Sequence, residues 1–211
     1  MNDVLTAEFD TWKLEDEDAR LEKLERERVR YPRIIEELQL GLLWMENKKV
    51  LDVGCGPISI LEFLPEARLR WAIDPLVNDY RSLYMQSDEI FWVNGEAEKM
   101  PFLDSEFDLV VCTNALDHTK EPVVAVREMK RVLKAGGFLA VHCCENNALL
   151  NPSPAHQHNL TLSWFKNLVN KDFEIVSCKK VRYGWKSYKG RVGQPAFAIL
   201  LRKVTGYKEE E

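Results

Sequence analysis

Between Lys49 and Lys203 the chain alternates short apolar runs with amphipathic ones. Five runs, Lys49–Gly54 (KVLDVG), Leu69–Asp74 (LRWAID), Ile90–Asn94 (IFWVN), Phe107–Thr113 (FDLVVCT) and Phe138–Cys143, are near-continuous in hydrophobicity. Strands buried on both faces read this way, whereas strands with one wet face alternate. Between them Ser59–Leu64, Val77–Gln86, Pro122–Leu133 and Thr161–Asn170 read as helices, the third stopped by Gly136-Gly137. Phe173–Tyr183 and Pro195–Lys203 are late strands separated only by a loop, which predicts antiparallel pairing. The alternation of strand and helix predicts an α/β fold with three layers around a mostly parallel sheet.

The first 47 residues follow another pattern. Residues 13–30 place Leu14, Leu21, Leu24 and Val29 in a sparse apolar stripe among charges, as in an exposed helix. Pro32 suits the first turn of a second helix, with Ile34, Ile35, Leu38 and Leu42 on its buried side. Residues 1–47 are therefore expected to be a helical arm or lid. Sustained heptads are missing, which disfavours a coiled coil.

With 211 residues and 45% hydrophobic positions, the chain suits one domain with an appendage. No apolar stretch approaches the roughly 20 residues needed to span a bilayer, and the acidic N-terminus does not resemble a secretory signal. Five cysteines without a C-x-x-C pair argue against a disulfide framework or a zinc site. A cytoplasmic setting and no metal are expected. The net charge of −5 is unevenly spread: nine basic residues and no acid lie between Ile175 and Lys208, leaving −14 on the rest. Such a segment attracts an anionic partner, or decorates exposed strands and discourages edge pairing.

Val50-Leu51-Asp52-Val53-Gly54-Cys55-Gly56-Pro57 joins a strand to a helix, where glycines allow close backbone approach to a ligand. Ligands of open α/β sheets bind at this end of the strands. Ile58-Ser59 after Pro57 removes the third glycine of a dinucleotide fingerprint, and no Gly-Lys-Ser/Thr follows. Asp74 ends the second strand 20 residues after Gly54. A carboxylate there either accepts from both hydroxyls of a ribose or bonds its own turn.

Together with Gly95-Glu96-Ala97-Glu98-Lys99-Met100-Pro101-Phe102, Phe107–Val111, Asn114–His118 and Glu128–Phe138, these residues resemble the class I S-adenosylmethionine-dependent methyltransferases. The likeness runs through residues 48–142, within a domain expected over 48–205, followed by a charged tail at 206–211. It implies a Rossmann-like, seven-stranded sheet with an antiparallel last strand, and S-adenosylmethionine as cofactor. It further implies that Asp52, Gly54, Cys55 and Gly56 hold the methionine end and that Asp74, with Pro75, binds the ribose. Glu96 would receive the adenine amino group and the Ala97 backbone the ring edge. Asn114 and Leu116 would border the methionine moiety and the transferable methyl. Pro57-Ile58 departs from the usual glycine-containing continuation, and Glu96 stands where Asp is commoner.

The reaction implied moves a methyl group to an oxygen or nitrogen of a small or medium-sized acceptor, giving S-adenosylhomocysteine. Such a displacement chiefly needs alignment and exclusion of water, with a base where the acceptor must lose a proton early. His118, after the fourth strand, is a candidate base, or else it packs its loop. His156 and His158, in the loop 145–159, are candidate acceptor contacts. Their spacing is not diagnostic of a metal and no third ligand is apparent nearby in sequence. Trp185 and Tyr188 share the loop 183–195 with Lys186, Lys189 and Arg191, and could close over an anionic or aromatic acceptor, or stack on nucleic acid, the weaker reading. Cys143-Cys144 reads as packing, and Tyr31 is placed to face the cofactor when the arm closes. Two other functions fit the same motifs: a catalytically silent cofactor-binding module acting through its arm, and an RNA or protein methyltransferase using residues 179–203. The arm either covers the site or makes a homodimer.

Overall fold

Seven strands and six helices form among the residues that the computed structural model describes, which are 3–14, 16–43, 45–183 and 193–204. The strands are β1 (Lys49–Val53), β2 (Leu69–Asp74), β3 (Phe91–Asn94), β4 (Phe107–Thr113), β5 (Leu133–Cys144), β6 (Phe173–Tyr183) and β7 (Gln194–Lys203). The helices are α1 (Asp3–Trp12), α2 (Glu17–Glu37), α3 (Val77–Arg81), α4 (Pro122–Val132), α5 (Asn147–Leu150) and α6 (Leu162–Val169). The strands lie side by side in the order β3-β2-β1-β4-β5-β7-β6. Neighbours from β3 through β5 are parallel, and β7 runs antiparallel to both β5 and β6.

Alternate residues of each strand serve opposite faces, which is why the runs read as continuously apolar. Leu51, Val53, Val110, Cys112, Leu139 and Val141 pack against Ala125, Met129, Phe165 and Val169 of α4 and α6. Val50, Ala72, Leu109, Val111 and Ala140 face Tyr31 and Ile34 of α2, with Leu38, Ile60 and Leu61. The chain builds outward from β1 through β2 to β3, then returns to lay β4 on the other side of β1. Connections leaving β1 and β4 therefore diverge and open a crevice at the strands' carboxyl ends.

Three expectations are corrected. Pro32 does not open a second helix: α2 runs through it unbroken. An internal proline forfeits one backbone hydrogen bond, but Tyr31 and Ile34 flank it and are both buried, so packing holds the helix. The helix after β2 stops at Arg81, where the Ser82 hydroxyl donates to the Asp79 carbonyl (2.7 Å) and competes for it. Gly136-Gly137 does not follow a helix stop; it lies inside β5. There Gly136 takes φ +73° at a bulge, where the pairing steps from Phe107–Leu133 to Leu109–Phe138.

The sequence pattern misses α1, because none of its residues is buried. It leans on aromatic rings instead: Phe9 stacks on Tyr80 at 6.2 Å between centroids, and Trp12 meets Tyr84 edge-on at 6.2 Å. At the opposite end of the sheet β6 is an outer edge. Its Lys179 and Lys180 are exposed there, where charge discourages pairing with another strand.

Candidate active site

β1 ends in a turn that only glycine fits. Gly54 has φ +70°, and a Cβ on it would lie 2.2 Å from the Cβ of Ala115. The exits of β1 and β4 are thus pressed together. Gly54 N–H donates to the Ile73 carbonyl (2.9 Å), and Gly56 N–H donates to Asp74 Oδ2 (3.0 Å). The other Asp74 oxygen accepts from Leu76 N–H at 2.8 Å, so Asp74 does bond its own turn while also tying down the glycine loop. Burial pushes its carboxyl up to about 6, against the pull of the Leu76 and Gly56 N–H groups.

Asp52 does not line the crevice. It has no exposure, accepts from the Ser59 hydroxyl (2.8 Å), and is pushed up to about 7 by burial. Ser59 Oγ also caps the following turn by accepting from Leu61 N–H (3.1 Å). Ser59→Ala removes both bonds, and we expect it to cost about 1–2 kcal/mol in chemical denaturation.

Across the crevice, Glu96 accepts from Lys120 Nζ (2.6 Å). Asn114 takes a left-handed φ of +50° and donates its N–H to the His142 carbonyl (2.7 Å). Its side-chain oxygen accepts from Cys144 Sγ (3.4 Å), while Nδ2 is buried with no hydrogen-bond partner among the described residues. These groups line a cavity of about 350 Å³, together with Val4, Glu8 and Trp12 of α1 and Lys23, Arg30 and Tyr31 of α2. Its size suits a small-molecule site.

At one end of the cavity the Glu8 carboxylate lies 3.0 Å from His118 Nδ1. Burial works against the charged imidazole, but the Glu8 hydrogen bond and charge, with Asp117 and Asp74, push His118 up to about 9. It carries its proton at neutral pH, which is the opposite of what a base requires. His156 stands edge-on to His118 at 4.6 Å, with Nδ1 2.9 Å from the wholly buried Asp117. Donor atoms of Asp117, His118 and His156 all lie within 4.8 Å of one another, so the third group that sequence spacing did not reveal beside His156 is present in space.

The raised His118 pKa makes the Glu8–His118 contribution complete below the unfolded value near 6.5 and lost as pH rises through about 9. At the acid end it lasts until Glu8, itself held low, takes up a proton. Glu8→Gln is expected to loosen α1 by about 1 kcal/mol, roughly fivefold in the rate of limited proteolysis within α1 at pH 7.

Residues 51–141 match the family model described as a methyltransferase domain. MJ0638 of Methanocaldococcus jannaschii is 29% identical over 177 residues, covering 82% of this chain and 75% of that protein. Methyltransferase C1B3.06c of Schizosaccharomyces pombe is 30% identical over 134 residues, 56% of this chain and 47% of that protein. The chain thus spans about half the length of the yeast relative. The crystal structure of YcgJ from Bacillus subtilis superposes with a TM-score of 0.65 at 18% identity, over 82% of this chain and 98% of that one.

Over residues 51–141 the chain resembles a methyltransferase domain.

The crevice fits the cofactor that the resemblance implies on its own geometry. It offers a glycine loop at the end of β1, a carboxylate at the end of β2, and the unspent Nδ2 donor of Asn114. Of the expected cofactor residues, Gly54, Cys55, Gly56, Asp74, Pro75, Glu96, Ala97 and Asn114 line the cavity. Asp52 and Leu116 do not. Asp52 supports the loop from below through Ser59, and Leu116 is buried in the core between sheet and α4. Among the acceptor candidates His156 lines the cavity, whereas His158 turns its Nε2 to the Thr119 carbonyl (2.8 Å). Trp185 and Tyr188 lie outside the described residues.

The cations lining the cavity are already engaged. Lys23 Nζ donates to the Thr11 carbonyl (2.6 Å) and sits 3.7 Å over the Trp12 ring, while Arg30 pairs with Glu27 and Lys120 with Glu96. The described residues thus give little support to an anionic acceptor. Sequence reasoning missed Asp117 and Asn147. The available signal was the acid adjoining His118, but the fold-back of the 145–159 loop onto it leaves no trace in spacing.

Proposed function

We propose that this protein transfers the methyl group of S-adenosylmethionine to an oxygen or nitrogen of a small or medium-sized, uncharged polar acceptor. The observation that carries the reading is continuity: glycine loop, Asp74, Glu96 and the His118–His156 cluster all line one cavity. When bound, the cofactor supplies a methyl group made electrophilic by its sulfonium. The chain's own residues then have defined tasks. Gly54–Gly56 leave room for the methionine end, Asp74 accepts from the ribose hydroxyls, and Glu96 with the Ala97 backbone meets the adenine. Asn114 offers its free amide hydrogens beside the loop. Residues 1–47 act as a lid, since α1 and α2 complete the cavity wall and exclude water once both ligands are in place.

Asn151, Ser153 and Gln194 line the acceptor end with groups that both donate and accept hydrogen bonds. That lining suits a hydroxylated small molecule better than a polymer phosphate backbone. No helix of the described residues is long and apolar enough to cross a membrane. The test is incubation with methyl-tritiated S-adenosylmethionine and a fractionated cell extract. Label is expected in a low-molecular-weight fraction and absent with Asp74→Asn. Label only in RNA or protein would overturn the acceptor class, and no transfer by protein that binds S-adenosylhomocysteine would favour a silent binding module.

A further inference from the structure

We infer that His156 is the general base of the reaction, oriented by Asp117, and that the acceptor atom it deprotonates is a neutral hydroxyl oxygen. The inference rests on the methyl-transfer reading above.

Asp117 sits in the turn Leu116–His118 just beyond β4 and has no solvent exposure. A buried carboxylate needs donors, and its Oδ2 gathers Asn147 Nδ2 at 2.8 Å, His156 Nδ1 at 2.9 Å and, more loosely, His118 Nε2 at 3.6 Å. The orientation of the Asn147 amide is fixed from behind, because its oxygen accepts from Gln194 Nε2 (2.6 Å). Its NH2 end therefore faces the cluster, donating to Asp117 Oδ2 and lying 2.7 Å from His156 Nδ1, so the amide and the ring compete for one carboxylate oxygen. The charged oxygen 2.9 Å from Nδ1 outweighs the neutral amide in orienting the ring and places the proton on Nδ1. With Nδ1 protonated, the lone pair of the neutral ring is on Nε2. Nε2 accepts from Asn151 Nδ2 at 3.1 Å, an exposed amide that an incoming hydroxyl can displace. Backbone bonds hold the arrangement: Gln157 N–H donates to the Asp117 carbonyl (3.1 Å) and His156 N–H to the Ser153 carbonyl (3.0 Å).

This is the logic of a base held in one tautomer by a buried acid. His118 cannot take the same part, because Glu8 keeps its imidazole charged. That charge also selects the acceptor. An ammonium group would meet a cation beside His156, whereas a neutral hydroxyl would not. In the step, the O–H bond breaks and its proton passes to His156 Nε2. An oxygen lone pair forms the new bond to the methyl carbon. The pair of the broken carbon–sulfur bond stays on sulfur, giving neutral S-adenosylhomocysteine, and the imidazolium returns its proton to water. The Asp117–His118–His156 cluster also has donors that a divalent cation could use. Asp117 Oδ2 is engaged by donors, whereas Oδ1 has no hydrogen-bond partner among the described residues, so the chelator and zinc arm of the test below decides between base and metal.

The first test needs no acceptor. Nitrogen-15 NMR of histidine-labelled full-length protein, with S-adenosylhomocysteine added, is expected to show His156 neutral at pH 7.5 with its proton on Nδ1. Asp117→Asn should release that preference. A proton on Nε2, protons on both nitrogens, or signals that move with a chelator and return with zinc would each overturn the inference. The last would make the cluster a metal site. The second test uses the extract fraction that accepts label. His156→Gln should lower the rate about 100-fold at pH 7.5, and S-adenosylhomocysteine affinity should stay within about twofold. The remaining rate should climb with pH where the parent's levels off. A loss of less than about threefold, or an amine as the methylated product, would overturn it. Failure to bind S-adenosylhomocysteine would sink the methyl-transfer reading while leaving the tautomer result standing.

Discussion

Gly54→Ala is expected to lower the affinity for S-adenosylhomocysteine by at least about 100-fold in calorimetric titration. The new Cβ would stand 2.2 Å from Ala115 Cβ, and the φ of +70° is one that a residue with a side chain rarely adopts. Something must move, and what moves is the wall of the crevice. Either the loop lifts from Ile73 or the β4 exit shifts with Asn114. We expect a parallel stability loss of about 2–3 kcal/mol. Gly56→Ala is the control. Its φ is also positive, at +61°, but the nearest atom to its Cβ would be Trp12 Cζ2 at 4.0 Å. It carries strain without collision, so its cost in stability should be near 1 kcal/mol. Equal losses for the two variants would place the effect in backbone strain and not in the contact with Ala115.

Asp74→Asn is expected to reduce the same affinity by about 100-fold or more, since hydrogen bonds to a charged acceptor contribute about 1.5–3 kcal/mol each. The pH dependence tests this without a mutation. The carboxyl is raised from 3.8 to about 6, so affinity should hold at pH 7.5–8 and fall as pH drops through about 6. Stability of the ligand-free protein should run the other way. A carboxyl whose folded value is raised contributes stability that is complete below its unfolded value and lost as pH rises through the folded one. Asp74, and Asp52 at about 7, therefore make the ligand-free protein more resistant to denaturant at pH 5 than at pH 8. Opposite slopes for binding and stability are the signature; parallel slopes would remove Asp74 from the ribose site.

β2 and β4 have the boundaries that their apolar runs predict, and β6 those of the late strand expected over 173–183. A strand buried on both faces leaves an unbroken hydrophobic signal, and a parallel sheet leaves several in a row. Asp74 was legible because it stands where such a strand ends. What could not be read was set by tertiary contact. Helix α1 buries no residue, and its short stripe of Leu5, Phe9 and Trp12 is set by contacts with Tyr80 and Tyr84 that sequence alone does not show. Pro32 looked like a boundary because local propensity has no knowledge of the sheet against which Tyr31 and Ile34 pack. Asp52 looked like a ligand residue; its buried carboxyl accepts from Ser59 and does not line the cavity, a contact that spacing does not reveal. His118 looked like a base because spacing says nothing of Glu8, which reaches it from a helix more than a hundred residues earlier.

The roof over the cavity rests on ring contacts, the Glu8–His118 pair and hydrogen bonds from Lys23 and Tyr84 to its last turn, with no fully buried residue of its own. Segments anchored in this way open at small free-energy cost, long before a sheet does. Backbone amides of α1 should exchange with deuterium ahead of those in β1 and β4. A bound ligand filling the space beneath should slow α1 more than any other element. The protection conferred on that first helix would then serve as a gauge of occupancy, readable with ligands whose chemistry has not yet been identified.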